Sequence, residues 1–168
     1  MVDLITRYYE GKTVGLIGTK RTIQSGIYTN KIKEASKGIH LQSLATPLLA
    51  PMIEEGFFNN KISRTIINSY LSRPKIKKIE ALILACTHYP LIKPEIEEYY
   101  KKGINIVDSA DIVARHVKNL LESKQLMNLK KPGKHRFYIS DFTKSFEEST
   151  KIFFKGKIKL EHKNLWKS

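Results

Sequence analysis

Cys86 is the only cysteine in the sequence, and it follows directly on the apolar run Ala81-Leu-Ile-Leu-Ala85. Thr87, His88, Tyr89 and Pro90 come next. A strand that hands over to a helix here places the thiol near backbone N–H groups and a helix dipole, both of which favour an anion. A free thiol titrates near about 8.5, and a site of that kind can lower the value. His88 lies two residues on, so an extended segment puts it on the same side as Cys86. Its imidazole could hold the thiol's proton or orient a substrate, and Pro90 fixes the backbone where the helix starts. A lone cysteine is also a common buried and inert side chain. The residues by themselves leave both readings open.

Other polar side chains are more ambiguous. Thr46-Pro-Leu-Leu-Ala-Pro-Met-Ile-Glu-Glu55 places Glu54 and Glu55 in the second or third turn of a helix, where a solvated face is the plain reading. "GLIGTKRTIQS", residues 15–25, turns after a strand but lacks the three spaced glycines of a dinucleotide site. Thr19 and Thr22 could hydrogen-bond a carboxylate there or simply cap the helix. Asp108-Ser109 reads as a helix cap. His40, His116, His135 and His162 show no metal-ligand spacing.

The elements that must position these residues follow from hydrophobic periodicity. Helices are expected over 2–10, 22–34, 47–58, 63–71, 91–102, 110–122 and 144–154. Strands are expected over 13–17, 39–44, 81–85, 104–107, 135–139 and 158–161. A linker, "SRPKIKKIE" at 72–80, leads to the strand at 81–85, and "KKPGK" at 130–134 is a turn and the one candidate internal linker within a single domain of 168 residues. Alternating strand and helix predicts an α/β fold with a mainly parallel sheet and helices on both faces. In such sheets ligands bind outside the carboxyl ends of the strands. That singles out the loops at Gly18-Thr19-Lys20, Ala45-Thr46-Pro47, Cys86-Thr87-His88 and Asp108-Ser109.

The composition, 41% hydrophobic and 27% charged, is that of a globular chain. One cysteine excludes an intramolecular disulfide and a cysteine-rich zinc site, and it fits a reducing compartment. The first residues carry charges and no long apolar core. No apolar run approaches the roughly 18 residues of a membrane span. A soluble, cytoplasmic protein with no membrane partner is expected. The net charge is +14. From Lys124 to Ser168 there are 12 Lys or Arg against 4 Asp or Glu. Lys dominates, and no helix-turn-helix, zinc-finger or aromatic RNA-binding signature accompanies it. The reading is a solvated basic surface rather than a nucleic-acid site.

"LILACTHYPLI" resembles the second cysteine motif of the glutamate racemases, in the aspartate/glutamate racemase superfamily. "VGLIGTKRTIQSGIY", "LATPLLAPMIEEG", "INIVDSADIVARHV" and "FYISDFTKSFEESTKIFFKGKI" resemble further segments of that family, in order along nearly the whole chain. The resemblance implies one half of a pseudo-symmetric two-domain racemase fold, with residues 130–168 as a tail packing back toward the first half. It implies interconversion of L- and D-glutamate without a cofactor or metal, supplying D-glutamate for peptidoglycan. Removing a proton from one face of Cα and returning one to the other needs two acid/base groups. The family uses two cysteines. By motif match Cys86 is the second, assisted by His88 and Glu54. Thr87 and His88 would bind substrate, and Thr19 and Thr22 would contact a carboxylate.

The family's first cysteine, in a Cys-Asn-Thr motif, is not in this sequence, and Met1 falls where the family's second half opens. The chain alone is therefore expected to be inactive or weak. Either a separately encoded N-terminal half or a second copy would cover the face so exposed. A non-catalytic interaction module or relic is the alternative of another class, and an aspartate racemase is the enzymatic rival.

Overall fold

The computed structural model describes residues 1–35, 38–128, 130, 133–143, 146–147, 150–151, 154 and 158–164. Strands β1 (Thr13–Gly18), β2 (His40–Ala45), β3 (Ala81–Ala85) and β4 (Asn105–Asp108) form one sheet in the order β2-β1-β3-β4. Every pairing in it is parallel. All five residues of β3 are buried. A strand covered on both faces has no polar side to keep, which is why it reads as an unbroken apolar run. Its side chains alternate between two cores. Leu82 and Leu84 pack with Ile17, Leu49, Ile53 and Ile67. Ala81, Ile83 and Ala85 pack with Ile5, Val14, Leu16 and Ile32 on the other side.

The helices follow that division. α1 (Val2–Tyr8) and α3 (Ile27–Ala35) bury Ile5 and Ile32 against one face. α4 (Leu49–Glu54), α5 (Lys61–Leu71), α6 (Pro74–Lys77) and α7 (Lys93–Tyr99) line the other. The expected α/β architecture, a parallel sheet with helices on both faces, is the observed one.

Element boundaries differ from the sequence expectation for local reasons. The helix expected over 22–34 is two helices, α2 (Lys20–Gln24) and α3, parted at Gly26 with φ +64°. A left-handed residue cannot continue a right-handed helix. α4 is shorter than the expected 47–58, ending at Glu54 just before Gly56, whose φ is +77°. α5 starts at Lys61 rather than 63, because the Asn60 side chain accepts from Ile62 N and Ser63 N. The supposed linker at 72–80 contains α6, whose Ile76 is fully buried. The helix expected over 91–102 is a 3-10 turn, Tyr89–Ile92, followed by α7.

Asp108 caps α8 (Ser109–Ser123), accepting from Ala110 N at 3.1 Å and Asp111 N at 3.2 Å. Its second oxygen accepts from Lys93 Nζ at 2.8 Å, which ties α7 to the end of β4. Burial by itself would raise the carboxyl's pKa, but the Lys93 hydrogen bond and the two amides outweigh it and the net direction is down. Lys93 is raised, chiefly by the same bond. A carboxyl depressed on folding stabilises the fold above its unfolded value of about 3.9, and that contribution disappears as pH falls through the folded value. Asp108→Asn is therefore expected to cost about 2 kcal/mol at neutral pH. The gap to wild type in urea melts should begin to narrow as pH falls below about 4 and close once pH has passed the lower, folded value.

Beyond α8, β5 (Phe137–Ile139) and β6 (Leu160–His162) pair in parallel as a separate two-stranded sheet, with Arg136 Nη2 2.7 Å from Glu161 Oε2. Of the helix expected over 144–154, Phe146, Glu147, Thr150 and Lys151 are helical; its other residues up to 153, and part of the 130–134 turn, lie outside the described residues. Among the described residues no helix is long and apolar enough to cross a membrane.

Candidate active site

Parallel register puts Gly18 beside both Ala45 and Ala85. The loops that begin at Thr19, Thr46 and Cys86 therefore open side by side at the carboxyl edge of the sheet, where an α/β protein places its ligands. β3 delivers Cys86 to that edge, half-buried, with Thr87 exposed beside it. The chain then turns sharply, Tyr89 N donating to Cys86 O at 3.2 Å.

Inside this turn Cys86 Sγ lies 3.6 Å from His88 Nδ1. The other ring nitrogen, Nε2, lies 3.1 Å from Glu54 Oε1 at the end of α4. A neutral imidazole carries one proton. With that proton on Nε2 and donated to the carboxylate, Nδ1 presents a lone pair to the thiol. Proton transfer across the short gap gives thiolate and imidazolium, with Glu54 balancing the new charge. The His88 and Glu54 side chains are 37% and 56% exposed. An ion pair so solvated contributes less than about 1 kcal/mol to stability. Glu54 lies on the exposed surface of α4 and contacts the His88 ring there. The helix dipole expected to act on Cys86 is displaced, since the α-helix begins only at Lys93, after the 3-10 turn.

Thr19 is the N-cap of α2. Its Oγ1 accepts from Thr22 N at 3.2 Å and shares a 2.9 Å hydrogen bond with Thr22 Oγ1. Thr22 also abuts the end of β1, where a Cβ added to Gly18 would come within 3.3 Å of Thr22 Cγ2 and of Ala85 O. The pair caps the start of α2, at the loop adjoining that of Cys86. Asp108 is occupied as cap and ion-pair partner. Among the described residues no group of three His, Cys, Asp or Glu side chains is placed to hold a metal ion.

Two residues of this edge carry no sequence signal of their partnership. Thr46 and Tyr89 are both fully buried, and Thr46 Oγ1 lies 2.7 Å from Tyr89 OH. Burial pushes the Tyr89 hydroxyl up to about 12, so it stays protonated at any ordinary pH. A hydroxyl directly after a strand and a tyrosine where phenylalanine would pack were the only hints.

The chain has relatives of known name and structure. The family model described as Asp/Glu/Hydantoin racemase matches residues 2–117. "Glutamate racemase 3" of Caldanaerobacter subterraneus subsp. tengcongensis is 39% identical over 148 residues, covering 88% of this chain and 55% of the relative. A glutamate racemase of Streptococcus pneumoniae is 32% identical over 158 residues, covering 93% of this chain and 60% of the relative. The crystal structure of glutamate racemase from Francisella tularensis in complex with D-glutamate superposes with a TM-score of 0.83 at 32% identity, over 96% of this chain and 60% of that one. The chain thus spans little more than half the length of these relatives. With a matched family model over most of its length and the same α/β architecture, the chain belongs to the Asp/Glu/Hydantoin racemase family.

Proposed function

We propose that this chain forms the second half of a cofactor-independent glutamate racemase, with Cys86 as the acid/base group on one face of the substrate's α-carbon. The observation that carries the reading is the Cys86–His88–Glu54 relay at the carboxyl edge of the sheet. Relatives named as glutamate racemases, and the relative holding D-glutamate, support glutamate as the substrate.

As thiolate, Cys86 takes the α-proton from one face, and as thiol it returns one to that face. His88 exchanges the thiol's proton, and Glu54 keeps the ring turned. Thr87 and His88 hold the substrate beside Cys86. Thr19 and Thr22 share a single hydrogen bond between their hydroxyls, which leaves one hydroxyl proton for a substrate carboxylate. A second acid/base group on the opposite face completes inversion. The sequence holds no second cysteine, so in this reading that group comes from the first half of the fold. The product would serve bacterial peptidoglycan.

Exposed apolar residues on α8 and the tail support a contact with that first half. Val113, Val117 and Leu120, spaced for one side of α8, are 56%, 45% and 44% exposed. Phe142, Phe146 and Phe154 of the tail are exposed too. Apolar surface of this kind marks a contact site. The occupant we assign is the part of the relatives' length that this chain does not span.

Expressing this chain alone and together with the first half of the Streptococcus pneumoniae relative tests the proposal. D-glutamate formation from L-glutamate should be undetectable with the chain alone and appear in the co-purified pair. Full-rate racemisation by the chain alone would contradict the one-sided site. A co-purified pair active on aspartate and not on glutamate would overturn the substrate.

A further inference from the structure

The link between Tyr89 and Thr46 joins three loops that the relay depends on. Tyr89 OH lies 2.7 Å from Thr46 Oγ1 and 3.2 Å from Thr46 O. Thr46 in turn reaches the end of β1, its N and Oγ1 donating to Gly18 O at 2.8 and 3.2 Å. Thr46 O also accepts from Leu49 N at 3.2 Å, at the start of the short helix that ends at Glu54. On the other side, Tyr89 N donates to Cys86 O. One buried tyrosine therefore holds the turn carrying Cys86 and His88 against the base of the helix carrying Glu54.

The hydroxyl is not needed to fill space. The Tyr89 ring sits among Leu49, Ile53, Leu84 and Ile92 in the apolar core, where phenylalanine would pack as well. Burying a hydroxyl costs free energy unless it is hydrogen-bonded. Here both partners are on Thr46, 43 residues away in the chain.

We infer that the Tyr89 hydroxyl, acting through Thr46, is a positioning group that sets His88 between Cys86 and Glu54. The geometry stands whether or not the chain racemises glutamate; its catalytic consequence rests on the reading of Cys86 given above. Loss of the hydroxyl frees the turn to move relative to α4. His88 then no longer meets the thiol and the carboxylate together.

The test is alkylation of Cys86 by iodoacetamide in the full chain, as a function of pH, beside thermal melts. It needs no racemase activity, so it fails or succeeds independently of the functional reading. Tyr89→Phe should slow alkylation at pH 7 by about tenfold and change the pH profile, since the thiolate is the reactive form. In the Tyr89→Phe/His88→Asn double variant the slowing should equal that of His88→Asn alone, because both act through the same contact. Thr46→Val should behave as Tyr89→Phe does, and Thr46→Ser should keep the wild-type profile. If Tyr89→Phe melts lower but its profile superposes on wild type, the link is structural only and the inference is overturned. If Tyr89→Phe does not fold, Thr46→Val decides by the same criterion.

Discussion

Cys86→Ser, in the chain assembled with a first half, is expected to lower glutamate racemisation by about a thousandfold, within the range that positioned acid/base groups contribute. The substitution changes little else. Cys86 is half-buried at the open end of β3, and serine is nearly its size. The hydroxyl is a far weaker acid than the thiol, so it can neither hold the α-proton nor exchange it with His88 at neutral pH. Binding of glutamate should persist, because the contacts proposed for it, at Thr87, His88, Thr19 and Thr22, do not involve the thiol. The signature is a fall in kcat with KM nearly unchanged, measured by circular dichroism in both directions. A loss of binding with kcat intact would place Cys86 outside the chemistry.

His88→Asn should lower kcat by about a hundredfold, toward the smaller end of the same range. Asparagine places its amide where Nδ1 stood, so it neither reaches Glu54 as Nε2 does nor offers a basic nitrogen 3.6 Å from Sγ. The effect should be unequal in the two directions. His88 assists the group on one face of Cα only, so proton removal from the enantiomer presenting its hydrogen to Cys86 suffers most. Equal losses in pre-steady-state rates for D- and L-glutamate would show that His88 serves the substrate rather than the thiol.

The parts of the fold legible in the sequence are those set by local rules. Ala81–Ala85 and residues 13–17 could be read as buried parallel strands because neither face meets water. Asp108 could be read as a cap because a short acidic side chain before a helix has few better uses. The breaks at Gly26 and Gly56 depend on left-handed backbone that neighbouring structure imposes, and periodicity is silent on it. Ile76 looked like linker because burial by the core, and not its own four-residue helix, holds it in place.

Legibility of the site divides the same way. Cys86 and His88 are neighbours in the chain, so their pairing was open to reasoning on spacing. Glu54 is 34 residues from His88, and only resemblance to the racemases brought it forward. Thr46 and Tyr89 were missed as a pair, since a hydrogen bond across 43 residues leaves no local pattern. The Ser63 hydroxyl and Asn59 N donate to the buried Glu95 carboxylate, fastening α7 to the start of α5 in a second link of this long-range kind.

The most direct test of Cys86 as one half of a two-sided pair is α-proton exchange in D2O, followed by proton NMR. The assembled Cys86→Ser protein is given L-glutamate and D-glutamate in separate experiments. One enantiomer should exchange its α-proton without inverting, through the acid/base group that remains on the opposite face, while the other stays protonated. Exchange of both enantiomers at equal rates, or continued inversion, would contradict the assignment of Cys86.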